Sequence, residues 1–196
     1  MSKHLVTLAL SSISLMAILA CGGGGGGNAT PTPTPTPTPL ATSIAYSNPT
    51  GVPATAFYLS RNASTSGSHL VLDLFGPTTA VTGSGLVLAL NLDTTKATWS
   101  SVPAVNGSLF TTNVNGAPIF RSKITGNTLQ VVATERGSVS AKSFSGPLLQ
   151  IALDLKTDQT VGSTITLAPD LTKSQVLLSG TISALPDLKI GTLTAQ

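Results

Sequence analysis

Cysteine occurs once in this chain of 196 residues and histidine twice, which excludes a disulfide framework, a redox CxxC pair and a multi-thiolate zinc site. Charge is nearly as scarce: 9% of the residues are charged, against 41% hydrophobic. The formal net charge of +3 comes from 10 Lys+Arg against 7 Asp+Glu. The basic residues are scattered from Arg61 through Lys96, Arg136, Lys142, Lys156 and Lys173 to Lys189, and only Arg121 and Lys123 lie close together. Binding a phosphate backbone calls for clustered cations, often with interleaved aromatics, so nucleic acid is excluded as a partner. Aromatics themselves are few, with 5 Phe, 2 Tyr and 1 Trp.

What is present starts at the N-terminus. Lys3 supplies a positive start, and Leu5 to Ala20 is an apolar run too short for a bilayer span of about 20 residues but suited to a secretory leader. It ends in Ile18-Leu19-Ala20-Cys21, which resembles the lipobox of bacterial lipoproteins. That resemblance implies signal peptidase II cleavage between Ala20 and Cys21, with Cys21 diacylated and carrying the chain into a membrane. Gly22 stands where an Asp would favour inner-membrane retention in enterobacterial lipoproteins, so the resemblance implies an outer-membrane or cell-surface location.

Gly22 to Gly27 is an unbroken glycine run, and Pro31, Pro33, Pro35, Pro37 and Pro39 alternate with threonine. Neither stretch can bury a core. The glycines span roughly 14 Å as random coil, and Pro31 to Pro39 roughly 28 Å as polyproline II, a disordered tether that holds a domain clear of a lipid surface. The expected organisation is a leader over 1–20, a lipidated linker over 21–43 and one folded domain over 44–196.

That domain reads as all-β. Gly85 to Asp93 (GLVLALNLD) sends Leu86, Leu88, Leu90 and Leu92 to one face and Val87, Ala89 and Asn91 to the other. LLQIALDLK from Leu148 repeats the pattern, with Leu149, Ile151, Leu153 and Leu155 inward. Shorter runs are TAFYLS ending at Ser60, HLVLDLF from His69, PIFRSKI from Pro118, NTLQVVAT from Asn127, STITL from Ser163, QVLLSGTI from Gln175 and DLKIGTL from Asp187. Turn clusters separate them, among them Gly83-Ser84-Gly85, Asn115-Gly116 and Gly126-Asn127, and no window carries a helical stripe with a cap and a stop. About nine strands with one apolar face each predict a two-sheet β-sandwich, with a closed barrel as the alternative.

The chemistry of catalysis is thin. Glu135 is the single Glu, and glycoside hydrolysis needs two facing carboxylates, whereas Asp73, Asp93, Asp154, Asp158, Asp170 and Asp187 fall on outward strand positions or in turns. Glu135-Arg136-Gly137 reads as a charged hairpin tip. A serine triad would depend on His69, since His4 lies in the leader; His69 starts a strand at an exposed edge position, and no GxSxG elbow serves it. These counts argue against an enzyme, and no cofactor is expected. Calcium between Asp93, Asn91 and loop carbonyls, or near Asp154 and Asp158, is the one metal the loops suggest, without the DxDxDG spacing. Among aromatics, Trp99 shares a face with Ala97 and belongs to the core, as Phe120 does by default; Tyr46 and Tyr58 remain as exposed rings for ligand stacking.

The order of motifs resembles the cohesin domains. The stretch from Leu70 to Val102 runs through Asp93-Thr94-Thr95-Lys96, similar to that family's strand ending in Asp-Pro-Ser-Lys. Ser145 to Ile151, Val161 to Leu167 and Gly191 to Thr194 resemble its later strands in order, covering roughly residues 55–194. The resemblance implies a jelly-roll sandwich that binds a protein partner, a dockerin-like or envelope protein. Where cellulosomal cohesins grip dockerin with polar side chains, this chain has Gly85, Val87 and Ala89. The expected function is a non-catalytic, lipid-anchored interaction module; the alternatives are a module binding extracellular polysaccharide and a stalked envelope protein with no specific ligand.

Overall fold

The computed structural model describes residues 36–178 and 180–196; the leader, Ala20, Cys21 and the tether as far as residue 35 lie outside them. Among the described residues there is no helix. Sixteen strands follow one another: β1 (Ile44–Ser47), β2 (Phe57–Arg61), β3 (His69–Phe75), β4 (Thr82–Gly83), β5 (Gly85–Leu92), β6 (Ala97–Asn106), β7 (Ile119–Thr125), β8 (Thr128–Thr134), β9 (Lys142–Ser143), β10 (Pro147–Leu155), β11 (Thr164–Ile165), β12 (Leu167–Pro169), β13 (Gln175–Leu178), β14 (Thr181–Ala184), β15 (Leu188–Lys189) and β16 (Thr192–Ala195).

Two sheets face each other. One runs β15-β2-β3-β10-β6; the other runs β14-β13-β5-β8-β7, with β12 also pairing β5. Small sheets β1-β16-β11 and β4-β9 complete the molecule. The period-2 pattern is what drives the layers together. Leu86, Leu88, Leu90 and Leu92 of β5 and Leu129, Val131 and Ala133 of β8 point inward from one sheet, against Leu70, Leu72 and Leu74 of β3 and Leu149, Ile151 and Leu153 of β10 from the other. All are buried, and a fully buried Leu contributes about 1.5–3 kcal/mol relative to an exposed one. The all-β sandwich expected from the alternation is therefore what the chain forms.

The strands number more than the expected nine because several are interrupted. β12 and β13 both pair β5 on the same side, and the turn Asp170 to Ser174 separates them; Pro169, which lacks an amide proton, ends the first piece. The folded part also begins ahead of residue 44. Leu40 bridges Thr160, the Ala41 amide donates to Gln159 O at 2.7 Å, and the Thr42 amide donates to Gln196 O at 2.6 Å. Once the Thr-Pro alternation stops, these amides are free to join the small sheet.

The β7–β8 hairpin positions the surface discussed next. Thr125 pairs Thr128 across a two-residue turn, and Gly126 sits at φ +61°, a conformation that costs an L side chain energy. His69 is not at a sheet edge. Its strand β3 lies between β2 and β10, and its Nδ1 lies 2.6 Å from Asp154 Oδ1 across the β3–β10 pair. Only the order of strands in space reveals this, because β10 is distant in sequence.

Candidate functional site

Side chains that point away from the core on the six-stranded sheet form rows fixed by the register. One row runs Ile182, Leu177, Gly85, Thr134, Ile119 across β14, β13, β5, β8 and β7; the next runs Ala184, Gln175, Val87, Val132, Arg121. Between these rows lies an apolar trough of about 150 Å³ with Gly85, Val87 and Val132 as its floor and Leu177 and Ile182 as one wall. Gly85 makes the trough possible: a Cβ there would clash with the Thr134 side chain and close it. Ile182 is 67% exposed, so much of this apolar wall faces solvent.

One strand beyond Val132 and Thr134, the outer face of β7 is cationic. Arg121 and Lys123 are both exposed, both point outward from β7 as i and i+2, and neither has a carboxylate partner among the described residues. Among the described residues Arg121 donates only to the Phe120 carbonyl, at 2.9 Å. Farther along β5 the face is closed by the Asp170–Ser174 turn. Ser174, buried, accepts from the Ala89 amide at 3.0 Å and donates to Asp170 O at 2.8 Å, replacing a strand neighbour for Ala89. Hydrogen bonds from Lys173 and Thr172 hold the Asp170 carboxyl below its ordinary value.

The five-stranded sheet turns a different surface outward. Tyr58 on β2 lies opposite Phe75 on β3, and their rings stack with centroids 5.2 Å apart and planes 11° from parallel. Beside them opens a cleft of about 310 Å³, rimmed by Thr78, Thr79, Ser143 and Ser145. Two residues along β3, Asp73 accepts from Asn62 Nδ2 at 2.7 Å and from Gln150 Nε2 at 2.9 Å, one to each oxygen.

The residues singled out in the sequence divide accordingly. Tyr58 is half-buried at the cleft, with its ring stacked on Phe75. Tyr46 is not: it is 7% exposed, and its hydroxyl donates to Leu59 O at 3.1 Å while accepting from the Gly191 amide at 2.7 Å. Burial raises its hydroxyl pKa, with the Gly191 hydrogen bond opposing. A ring locked between β1, β2 and the segment before β16 has no face left for a ligand. Trp99, at 6% exposure, belongs to the core and donates to Asn127 O.

Glu135 is no hairpin tip. Its side chain is closed off from solvent and accepts from Lys142 Nζ at 2.6 Å, Asn113 Nδ2 at 2.7 Å and the Thr111 amide at 3.1 Å. Burial by itself would raise the carboxyl, but these three donors outweigh it and hold Glu135 below the usual Glu value. The residues suggested for calcium are engaged otherwise. Asp93 accepts from the Thr95 hydroxyl and amide, which lower its pKa, in the turn leading to β6. Asn91 accepts from Thr128 Oγ1 at 2.6 Å, and Asp154 pairs with His69. Among the described residues, no group of three or more His, Cys, Asp or Glu side chains could hold a metal ion.

Sequence reasoning missed Phe75, Leu177, Ile182 and the placing of Arg121 and Lys123. The clues were present in part: Phe75 shares the outward parity of Asp73 in HLVLDLF, and Arg121 and Lys123 are two apart. Their neighbours across the sheet depend on register alone.

Comparison with known proteins places the architecture. No protein-family profile matches the chain, and no curated protein matches it. Among solved structures, it is similar to the sixth cohesin of scaffoldin B from Acetivibrio cellulolyticus in complex with a dockerin, at 21% identity and TM-score 0.51, covering 70% of this chain and 97% of that one. It is also similar to CaCohA2 from Clostridium acetobutylicum, at 16% identity and TM-score 0.52, covering 73% of this chain and 92% of that one. The described domain has a cohesin-like fold.

Proposed function

We propose that the chain is a non-catalytic docking module, lipid-anchored at Cys21 in the bacterial outer membrane or at the cell surface, which recruits a dockerin-type protein partner through the outer face of its six-stranded sheet. The observation that carries this reading is the apolar trough over Gly85, walled by the exposed Ile182, with two cations on the neighbouring strand β7 that have no carboxylate partner among the described residues. The cohesin-like fold supports it, as does the dockerin bound to the scaffoldin B module. In this chain the gripping chemistry is reversed from polar to apolar: the partner supplies an apolar side chain for the trough and carboxylates opposite Arg121 and Lys123. A stable interface buries about 800 Å² per partner, so the trough would be its centre and the cations its rim.

A panel of purified dockerin modules, presented to the full chain on a biosensor, tests this reading. At least one module binds, Ile182→Asp weakens it by about tenfold or more, which is about 1.4 kcal/mol, and reversal of Lys123 slows association in a salt-dependent way. Failure of every dockerin, or a complex indifferent to Ile182→Asp, defeats the assignment. Mass spectrometry of the mature N-terminal peptide tests the anchor separately: diacylglyceryl on Cys21 is expected, and an unmodified thiol refutes it.

A further inference from the structure

We infer that the cleft beside Tyr58 and Phe75, on the five-stranded sheet and remote in the topology from the trough, is a binding site for a neutral polysaccharide chain. The walls are the first reason. A pyranose ring has an apolar face of C–H groups and an equatorial rim of hydroxyls, and it is held by an aromatic surface with hydrogen-bonding groups around it. The cleft offers that combination: the stacked Tyr58–Phe75 pair on one side and the exposed hydroxyls of Thr78, Thr79, Ser143 and Ser145 at its rim. The pairing of apolar walls with a few placed polar groups is the usual make-up of a small-ligand site.

The hydroxyls are also in complementary states. Thr78 and Thr79 donate to the Ala54 carbonyl, at 3.4 and 2.9 Å, so towards the cleft they offer lone pairs. Ser143 and Ser145 have no side-chain hydrogen bond among the described residues and are able to donate. A sugar hydroxyl, donor and acceptor at once, matches both kinds.

The absence of charge selects the ligand class. No Asp, Glu, Lys or Arg lines the cleft, so an acidic glycan, a phosphate or a peptide terminus would find no counter-charge there. The volume, about 310 Å³, admits one to two sugar units. Asp73 shares the outward face of β3 with Phe75, two residues away. Asn62 and Gln150 fix its carboxylate with one hydrogen bond to each oxygen, leaving further lone pairs on Asp73 and a second N–H on each amide. A glycan running along β3 would pass from the ring pair onto this polar cluster.

The test uses the full chain in detergent and, as probes, cellohexaose, xylohexaose, mannohexaose, chitohexaose and the acidic hexagalacturonate, measured by calorimetry. At least one neutral hexaose binds, Tyr58→Ala weakens it by about tenfold or more, and Tyr58→Phe leaves it within about threefold, because the ring and not the phenol makes the contact. Ser145→Trp, at an exposed rim position away from the core, blocks the cleft and abolishes binding, which keeps the proposal testable should Tyr58→Ala fail to fold. Ile182→Asp leaves glycan binding unchanged, since it lies on the other sheet. Binding of no neutral hexaose, binding of hexagalacturonate alone, or binding that survives both Tyr58→Ala and Ser145→Trp overturns the proposal.

Discussion

Replacing Glu135 by alanine exposes how the loops beside the six-stranded sheet are held. The carboxylate ties two other segments to its own: the connection between β6 and β7, through the Thr111 amide and Asn113, and β9, through Lys142. Without it, the Thr111 N–H loses its acceptor, Asn113 Nδ2 keeps only the longer bond to Arg136 O at 3.3 Å, and Lys142 loses its counter-charge. Lys142 keeps Leu109 O at 3.0 Å and Thr111 Oγ1 at 2.9 Å, and its side chain is 31% exposed, so water softens its share of the penalty. Breaking a buried ion pair costs about 3–5 kcal/mol, and the partial exposure of the cation points to the lower end, about 3 kcal/mol.

Urea unfolding followed by far-ultraviolet circular dichroism measures this. With a slope of about 1–3 kcal/mol/M, the midpoint should fall by about 1–3 M at pH 7. The pH dependence gives the second readout. The folded-state carboxyl lies below its unfolded value of about 4.3, so its contribution is complete above that pH and fades as pH falls through the folded value. The gap between wild type and Glu135→Ala therefore narrows from pH 7 to pH 3. A loss under about 1 kcal/mol at pH 7, or a gap that is the same at both pH values, would refute the assignment of Glu135 as a charged clamp.

Tyr46→Phe removes one hydroxyl that serves both Leu59 O and the Gly191 amide, and should cost about 1–3 kcal/mol in the same unfolding assay with no effect on glycan binding. Gly85→Val fills the trough and forces Thr134 aside; a stability loss of about 1–3 kcal/mol accompanied by loss of dockerin binding is expected, and retained binding would move the docking site elsewhere. Leu88→Ala, at the centre of β5 and fully buried, should cost about 2–5 kcal/mol; a loss near zero would mean the two sheets do not close over it.

Much of the fold was legible because alternation is a local property. The leucines of GLVLALNLD and the apolar residues of LLQIALDLK are two apart, and an extended chain with one buried face places them together whatever their neighbours. Turn positions were legible for the same reason: Gly126-Asn127 marks its hairpin by backbone preference alone. Tyr46 and Glu135 were misjudged because both are polar residues that ordinarily sit outside, and their partners are distant in the chain. Gly191 lies 145 residues from Tyr46, and Asn113 lies 22 from Glu135. Burial became affordable for them only once those donors and acceptors had been brought within reach.

The two candidate surfaces show the same division. Sequence alone determined that the chain carries two-faced strands, that Gly85, Val87 and Ala89 leave one outward face small and apolar, and that Tyr58 stands on another strand. Tertiary structure decided that Leu177 and Ile182 wall that face, that Arg121 and Lys123 stand on the strand beyond β8 on the same face, and that Tyr58 meets Phe75 beside a neutral cleft. Strand parity follows from the backbone of each segment, but register and strand order arise from pairing between segments far apart, and a shift of one residue in either would have turned each of these side chains to the opposite face.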